Sequence, residues 1–147
     1  VFPMWVAIEC TTFGNLSKLY KNLKVDDRTT ISKKYFGTSR QYVENWLQAA
    51  VFARNVSAHG GRFYNRKLRT VPVRLPQKYS DIIDGRSAFA YAYAIYKMQP
   101  TKALSAAMRK ALTDIWISYP FALKVHVGFP ENWEQILIDS ENRKASR

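Results

Sequence analysis

The sequence predicts an all-α protein, a bundle of about six helices. Apolar residues recur at intervals of three and four in most of its long segments, which is the period of an amphipathic helix. The sequence has no pair of alternating segments joined by a hairpin turn, no glycine-rich phosphate loop and no internal repeat. At 147 residues, the chain has the usual length of a single domain and can bury a hydrophobic core.

The first part of the chain predicts three helices before the longest one. Residues 4–24 have helical spacing and divide near Thr11-Thr12-Phe13-Gly14 into two pieces, of which the second places leucines and Tyr20 on one face. A short helix over about 27–36 follows, because two carboxylates at its start favour a helix N-terminus and Gly37 ends the pattern.

The longest helical pattern covers about residues 39–59. Thr38 and Gln41 have the spacing of a capping box, and Gly60-Gly61 supplies the left-handed conformation that often ends a helix. The apolar stripe between these signals consists of Val43, Trp46, Leu47, Ala50 and Val51. On a helical wheel, Arg54 falls on the line of this stripe, so we expect it to point towards the core or a partner.

Residues 60–80 interrupt the helical pattern. Pro72 and Pro76 preclude a continuous helix, and the segment 71–76 is predicted to be an extended arm. Helix signals resume over about 86–98, where the residues are apolar almost all round. Such a helix is usually central to a bundle or buried between subunits.

The last third predicts two more helices. One covers about 102–118, and its apolar stripe consists of Leu104, Met108, Leu112, Ile115 and Trp116. A short helix follows a turn that contains Pro130. Residues 1–139 are predicted to form a single domain and residues 140–147 a charged, frayed tail.

The charge of the chain favours a polyanionic partner. Its 23 basic and 11 acidic residues give a net charge of +12, and each phosphate neutralised by a cation releases counterions. The alternative is a self-repelling surface without a partner. No carboxylate occurs from Asn45 to Ser80, whereas this window contains Arg54, Arg62, Arg66, Lys67, Arg69, Arg74 and Lys78. The positive charge is therefore centred near the end of the longest helix.

Cysteine use and hydropathy favour a cytoplasmic protein. Cys10 is the single cysteine, and no cluster of cysteine and histidine has the spacing of zinc ligands, so no metal or cofactor is predicted. The apolar runs are too short to span a membrane, and the first residues lack the basic start of a signal peptide. Because the chain begins with Val1 and an apolar stretch, we expect it to begin inside a longer protein.

The segment after the longest helix mixes cations with aromatic rings. This composition suits stacking on bases and holding phosphates, although such a segment also occurs in loops that pack on the core by their aromatics. The candidate RNA-binding residues are Arg62, Tyr64, Asn65, Arg66, Lys67 and Arg69. His126 has no partner pattern nearby and is interpreted as structural.

Arg54 and His59 lie at the end of the longest helix and are separated by four residues. An arginine and a histidine at this spacing are a possible pair for phosphate chemistry. The alternative is a core-edge arginine paired with a carboxylate, together with a helix-terminal histidine favoured by the helix dipole. Geometry alone leaves both interpretations open.

The hexapeptide Arg54-Asn55-Val56-Ser57-Ala58-His59 resembles the Arg-X(4–6)-His motif of HEPN domains. More specifically, the chain resembles the Abi-like abortive-infection proteins of the AbiD/AbiF type. Besides the motif, the resemblance is carried by Phe2-Pro3-Met4-Trp5, Thr12-Phe13-Gly14-Asn15-Leu16-Ser17, Trp46-Leu47, Arg62-Phe63-Tyr64-Asn65-Arg66 and Gly128-Phe129-Pro130-Glu131-Asn132-Trp133.

This resemblance implies a metal-independent endoribonuclease of bacteria that acts as a growth-arresting toxin in anti-phage defence. It also implies a HEPN-like bundle and a homodimer in which two motifs form one composite cleft. An RNA or a protein would serve as antitoxin. Because the family usually has a further N-terminal helical region, this chain would be the C-terminal part of such a protein.

The implied catalytic residues are Arg54, Asn55 and His59. In RNA, the 2′-hydroxyl is held beside the phosphorus that it attacks. His59 would take its proton or give one to the leaving 5′-oxygen, and Arg54 would stabilise the charge on the non-bridging oxygens. Asn55 would orient the histidine ring or the phosphate. The products would be a 2′,3′-cyclic phosphate and a 5′-hydroxyl.

Two other functions remain open at this point. HEPN relatives include inactive members, and Gly60 stands where family members commonly have a second histidine. The chain would then be a catalytically inactive RNA-binding module that senses phage RNA or binds a regulatory RNA. A helical DNA-binding protein would need a short recognition helix after a tight turn, which no helix pair here shows convincingly.

Overall fold

The prediction of an all-α fold is confirmed. A computed structural model describes residues 3–68 and 72–142, and this part of the chain contains eight α-helices and no strand. The helices are α1 (Met4–Glu9), α2 (Phe13–Asn22), α3 (Val25–Ile31), α4 (Arg40–Ala58), α5 (Gln77–Ser80), α6 (Ala88–Lys97), α7 (Lys102–Ser118) and α8 (Trp133–Asn142).

The N-terminal helices follow the predicted division. α1 and α2 are separate, and the Thr12 side chain caps α2 by accepting a hydrogen bond from the backbone N–H of Asn15 at 3.2 Å. The single helix predicted over about 27–36 is instead α3 followed by a π-helical turn, Ser32–Phe36. Gly37 ends this turn with a φ of +60°, a conformation that suits a residue without a Cβ atom.

α4 ends as predicted but begins differently. Its N-cap is Ser39, without a side-chain capping bond, so the predicted capping box of Thr38 and Gln41 is wrong. The box fails because α4 begins one residue later than the box requires. At the other end, Gly60 has a φ of +63°, its N–H donates to Ser57 O at 3.1 Å, and the N–H of Gly61 donates to Val56 O at 2.7 Å. These two bonds form a Schellman motif.

The second half contains two short elements that the sequence pattern did not predict, α5 and the 3₁₀ turn Lys124–Val127. α8 continues to Asn142, beyond the point where fraying was predicted, because Ser140 is buried and its hydroxyl donates to Leu137 O at 2.7 Å. The remainder of the predicted tail, residues 143–147, lies outside the described residues.

The core is built around α6, as its apolar composition predicted. Phe89, Tyr91, Tyr93 and Tyr96 of α6 are all buried, and α6 packs against α4 and α8. Trp46 of α4 is buried too, and its ring meets the ring of Tyr93 edge-on at 6.4 Å. α4 is therefore fixed to the centre of the protein along its buried face.

An extended segment crosses α4, and polar side chains of α4 hold it there. The Asn45 amide donates to Pro72 O at 3.0 Å and accepts from the N–H of Arg74 at 2.7 Å. Trp46 Nε1 donates to Arg74 O at 2.9 Å. These contacts confirm the extended arm from residue 72 onwards, whereas residue 71 lies outside the described residues.

α7 is only partly covered by the rest of the protein. Of its seventeen residues, all of which the structure describes, Ser105 alone is buried. Leu104 and Ile115 of the predicted apolar stripe are exposed, and Met108, Leu112 and Trp116 are half-buried. The predicted stripe is thus apolar, but none of its five residues is fully buried.

A polar cluster links α7 to α6 and α8. The Tyr96 hydroxyl donates to the Glu141 carboxylate, and the Arg109 guanidinium donates to both groups. Burial, followed by the hydrogen bond to Glu141, raises the pKa of Tyr96 to about 12. In the folded protein the Tyr96 hydroxyl therefore stays protonated to a higher pH than in the unfolded chain.

We expect the protein to lose stability between pH 10 and pH 12 in a way that depends on Tyr96. Its folded pKa of about 12 lies above the ordinary value of 10.0, so its contribution is complete below pH 10 and is lost as the pH rises through 12. Over this pH range, the free energy of unfolding measured with urea should fall by roughly 2 kcal/mol less in Tyr96→Phe than in the parent. The exposed-site control Tyr35→Phe should keep the parent's pH dependence, and equal losses in all three proteins would contradict the expectation.

Replacing Asn45 should loosen the extended segment. Asn45→Ala leaves the carbonyl of Pro72 and the N–H of Arg74 without this partner, so the free energy of unfolding should fall by about 1 kcal/mol. The amide of Arg74 should also exchange its hydrogen faster. Gln41→Ala, at an exposed position of the same helix, is the control, and an unchanged exchange rate at Arg74 would show that Asn45 does not hold the segment.

Candidate functional site

Arg54, Asn55 and His59 are exposed on the last turns of α4. Arg54 Nη1 donates to Asn55 Oδ1 at 3.1 Å, and the backbone N–H of His59 donates to Asn55 O at 3.1 Å. Asn55 therefore contacts Arg54 through its side chain and His59 through its backbone. Its side chain is thus bonded to the arginine, and the predicted role of Asn55 in orienting the histidine ring or the phosphate stays a prediction.

Arg54 lies at the rim of an open cavity. The helical wheel placed it on the apolar face, and the structure shows its side chain exposed beside that face. The cavity has a volume of about 500 Å³ and lies between α2, α4 and α6. Its walls are formed by Phe13, Phe36, Leu47, Ala50, Ala53, Arg54, Ser57, Ile95, Met98 and Gln99.

The structure does not support the alternative of an arginine held by a carboxylate. Among residues 3–68 and 72–142, no Asp or Glu forms an ion pair with Arg54. Glu44, the carboxylate nearest to Arg54 in the α4 sequence, pairs instead with Arg28 at 3.1 Å and with Lys21 at 3.8 Å. The guanidinium of Arg54 thus keeps donors available for an anion.

A basic loop, defined here as residues 62–67, follows the motif. Arg62, Tyr64, Asn65, Arg66 and Lys67 are all exposed, whereas Arg69 lies outside the described residues. Asn65 has a φ of +48°, and its N–H donates to the carbonyl of His126 at 2.9 Å. The loop is therefore anchored on the 3₁₀ turn that contains His126.

His126 belongs to the same surface, which sequence reasoning missed. Its side chain is exposed, and its ring centroid lies 5.4 Å from that of Tyr64. The Tyr64 hydroxyl in turn accepts a hydrogen bond from the N–H of Leu123 at 3.2 Å. No local pattern around His126 signals this arrangement, because its partners are about sixty residues away in the sequence.

One cation of the basic loop is neutralised and two are not. Lys67 pairs with Asp84 at 3.3 Å, so a carboxylate from outside the acid-free window reaches the loop. The pKa of Asp84 is lowered mainly by the hydrogen bond that its carboxylate accepts from the backbone N–H of Arg86, and Lys67 lowers it further. Arg62 and Arg66 form no ion pair with any carboxylate that the structure describes.

An apolar groove also borders the motif helix, α4. It has a volume of about 700 Å³, and Ala53 and Ser57 of α4 form part of its wall. The other wall residues come from the basic loop, α6, α7 and the segment after α7: Phe63, Tyr64, Ala88, Tyr91, Ala92, Ile95, Met108, Leu112, Ile115, Trp116, Tyr119, Ala122, Val127 and Phe129. The end of α4 thus borders two hollows, one rimmed by Arg54 and one almost entirely apolar, and Ala53, Ser57 and Ile95 line both.

The described residues contain neither a helix suited to a membrane nor a cluster of metal-ligand side chains. None of the helices combines the length and the apolar character needed to cross a membrane. No three side chains of His, Cys, Asp or Glu in this part of the chain gather as a metal site would require.

Gly60 should be needed to end α4 directly after His59. Gly60→Ala places a Cβ atom on a residue with a φ of +63°, which should cost about 1 kcal/mol of folding free energy. Gly14→Ala is a matched control in α2, where the new methyl group would be in ordinary contact with Val51 at 3.8 Å and Thr12 at 4.0 Å and should stabilise the helix by up to about 1 kcal/mol. Thermal unfolding measures both changes, and equal effects of the two substitutions would speak against the left-handed stop.

Comparison with known proteins points to one family for the first part of the chain. Residues 1–65 match the model of the family described as Abi-like protein. This stretch includes α1 to α4, the motif and the start of the basic loop. The curated proteins give no match, and neither do the solved structures. The N-terminal part of the chain, with the helix that carries Arg54, Asn55 and His59, is therefore similar to Abi-like proteins.

Proposed function

We propose that this chain is a metal-independent endoribonuclease of the HEPN type that acts in abortive infection against phage. The observation that carries the proposal is the exposed Arg54–Asn55 pair, free of any described carboxylate, one turn before His59. The match of residues 1–65 to Abi-like proteins supports the same role, because it includes this motif.

Arg54 would act on the phosphate. Its bond to Asn55 uses Nη1, and the other N–H groups of the guanidinium can donate to two non-bridging oxygens at once. These bonds would strengthen as negative charge builds up on the oxygens of the pentavalent state. Asn55 would limit the conformations of the arginine, so less entropy is lost when the phosphate binds.

His59 would move the protons. The 2′-hydroxyl loses a proton when its oxygen attacks phosphorus, and the departing 5′-oxygen gains one. One imidazole cannot be base and acid in the same step, so a second copy of the chain would supply a second His59. Two motifs in one cleft would divide the two proton transfers between them.

The basic loop would hold the RNA strand. Arg62 and Arg66 are exposed without a described carboxylate partner, so they can neutralise backbone phosphates. The rings of Tyr64 and His126 are exposed side by side and offer a surface for stacking an unpaired base. The basic loop begins at Arg62, three residues after His59, so an RNA strand held by the loop would pass close to the motif.

The test is cleavage of end-labelled RNA in EDTA. His59→Ala should slow cleavage by about 10²–10⁴-fold and Arg54→Ala by about 10²–10³-fold. Arg40→Ala removes the same charge at the opposite end of α4 and should cut at close to the parent's rate. The parent should leave a 2′,3′-cyclic phosphate and should not cut DNA of the same sequence.

Three results would refute the nuclease proposal: cleavage of DNA, a strict need for magnesium, or unchanged cleavage by His59→Ala. A second candidate function is RNA binding without catalysis, which the exposed arginines and paired rings of the loop favour. In that case the parent and both motif variants bind RNA with similar affinity and none of them cuts it. Arg66→Ala would then weaken binding and reduce its salt dependence.

A further inference from the structure

The cavity beside Arg54 has the size and composition of a small-molecule site. Its volume of about 500 Å³ lies within the range of roughly 300–1,000 Å³ that is usual for ligand pockets. Seven of its ten described wall residues are apolar, and the other three are Arg54, Ser57 and Gln99. A site of this composition holds a mostly apolar body and orients it through a few polar groups.

Aromatic and thioether groups form part of the cavity wall. Phe13 is the first residue of α2, and Phe36 is the last residue of the π-helical turn. Both are half-buried, so part of each side chain remains accessible, and the same holds for Met98 at the end of α6. Phenyl rings bind flat heterocycles by stacking, and a methionine sulfur makes favourable contacts with aromatic rings. The wall therefore suits a flat ring system.

The rim of the cavity adds a requirement for an anionic group. Arg54 is exposed there, and its guanidinium forms no ion pair with any carboxylate that the structure describes. A nucleotide combines a phosphate with a flat base, joined by one sugar. A fatty acid combines an anion with an apolar body too, but the exposed Arg62 and Arg66 and the net charge of +12 favour a polyanion.

We propose that this cavity binds the base of the nucleotide whose phosphate is held by Arg54. The inference rests on the proposed function, which makes RNA the substrate and Arg54 the phosphate ligand. Ser57 is exposed three residues after Arg54, and its hydroxyl can donate to the base edge or accept from it. Because stacking and a hydroxyl both tolerate any base, the subsite requires a base without selecting one strongly.

A base held in the cavity would also position the reacting phosphate. One sugar separates the two groups, so fixing the base limits the movement of the phosphate at Arg54. Such restriction favours the attack of a neighbouring hydroxyl on phosphorus. Loss of the base contacts should therefore weaken the binding of nucleotides and slow the cleavage of RNA.

Nuclear magnetic resonance of the full chain with ¹³C-methyl methionine tests the subsite without any need for cleavage. Met98 lines the cavity, whereas Met108 lines the apolar groove and serves as the internal control. The probes are adenosine 3′- and 5′-monophosphate, with ribose 5-phosphate as the phosphate that lacks a base. At least one adenosine monophosphate should bind roughly tenfold tighter than ribose 5-phosphate and shift the signal of Met98, but not that of Met108.

Two pairs of variants test the wall. Phe36→Leu should weaken the binding of adenosine monophosphate roughly tenfold and leave ribose 5-phosphate unchanged. Tyr35→Leu is its control, because Tyr35 is 65% exposed and is not among the wall residues. Ser57→Phe should block the cavity from an exposed position, and Ala58→Phe is its control on the same turn of α4. Helical circular dichroism confirms that each variant folds.

Three results would overturn the subsite: equal affinities for adenosine monophosphate and ribose 5-phosphate, a shift of Met108 in place of Met98, or a Met98 shift with laurate but with neither nucleotide. RNA cleavage by Phe36→Leu at the parent's rate would also overturn it, while leaving the nuclease proposal intact. Failure of the nuclease proposal looks different, since the protein would bind adenosine monophosphate at Met98 and leave RNA uncut.

Discussion

The hydrogen-bonding groups of the extended segment impose the main constraint on this fold. A stretch with Pro72 and Pro76 cannot form a helix, and it has no neighbouring strand among the described residues, so its backbone needs other partners. Asn45 and Trp46 supply them from α4. Because the same helix is packed against α6, the segment is tied to the centre of the protein.

That constraint also positions the candidate site. The chain leaves α4 at the Schellman motif of Gly60 and Gly61 and is held against α4 again at residue 72. Contacts of Tyr64 and Asn65 with the 3₁₀ turn hold the basic loop between these points. Elsewhere the carboxylates of Glu44, Asp84 and Glu141 are paired with other cations, so the charge of Arg54 is not neutralised by them.

Local patterns were sufficient for part of this structure. The stop at Gly60, the central α6 and most of the α4 stripe (Val43, Trp46 and Ala50 are buried, Leu47 and Val51 half-buried) were predicted, because each depends on residues close in sequence or on composition alone. The start of α4 and the π-helical turn were not predicted, because each differs from the expected α-helical pattern by a single residue, which a sequence pattern does not resolve. The pairing of His126 with Tyr64 and the openness of α7 depend on contacts between distant segments, which no short window contains. What Arg54, Asn55 and His59 do stays a proposal.

The π-helical turn Ser32–Phe36 has a consequence for the space beside Arg54. Such a turn holds one residue more than the α-helical turn that it replaces, so it shifts the side chains after it by about 100° around the axis. Ser32 anchors the start of the turn, with its buried hydroxyl 2.6 Å from that of Tyr20, and Phe36 at its end forms a wall of the Arg54 cavity. The shape of that cavity is thus encoded in the number of residues in the turn as well as in their identity.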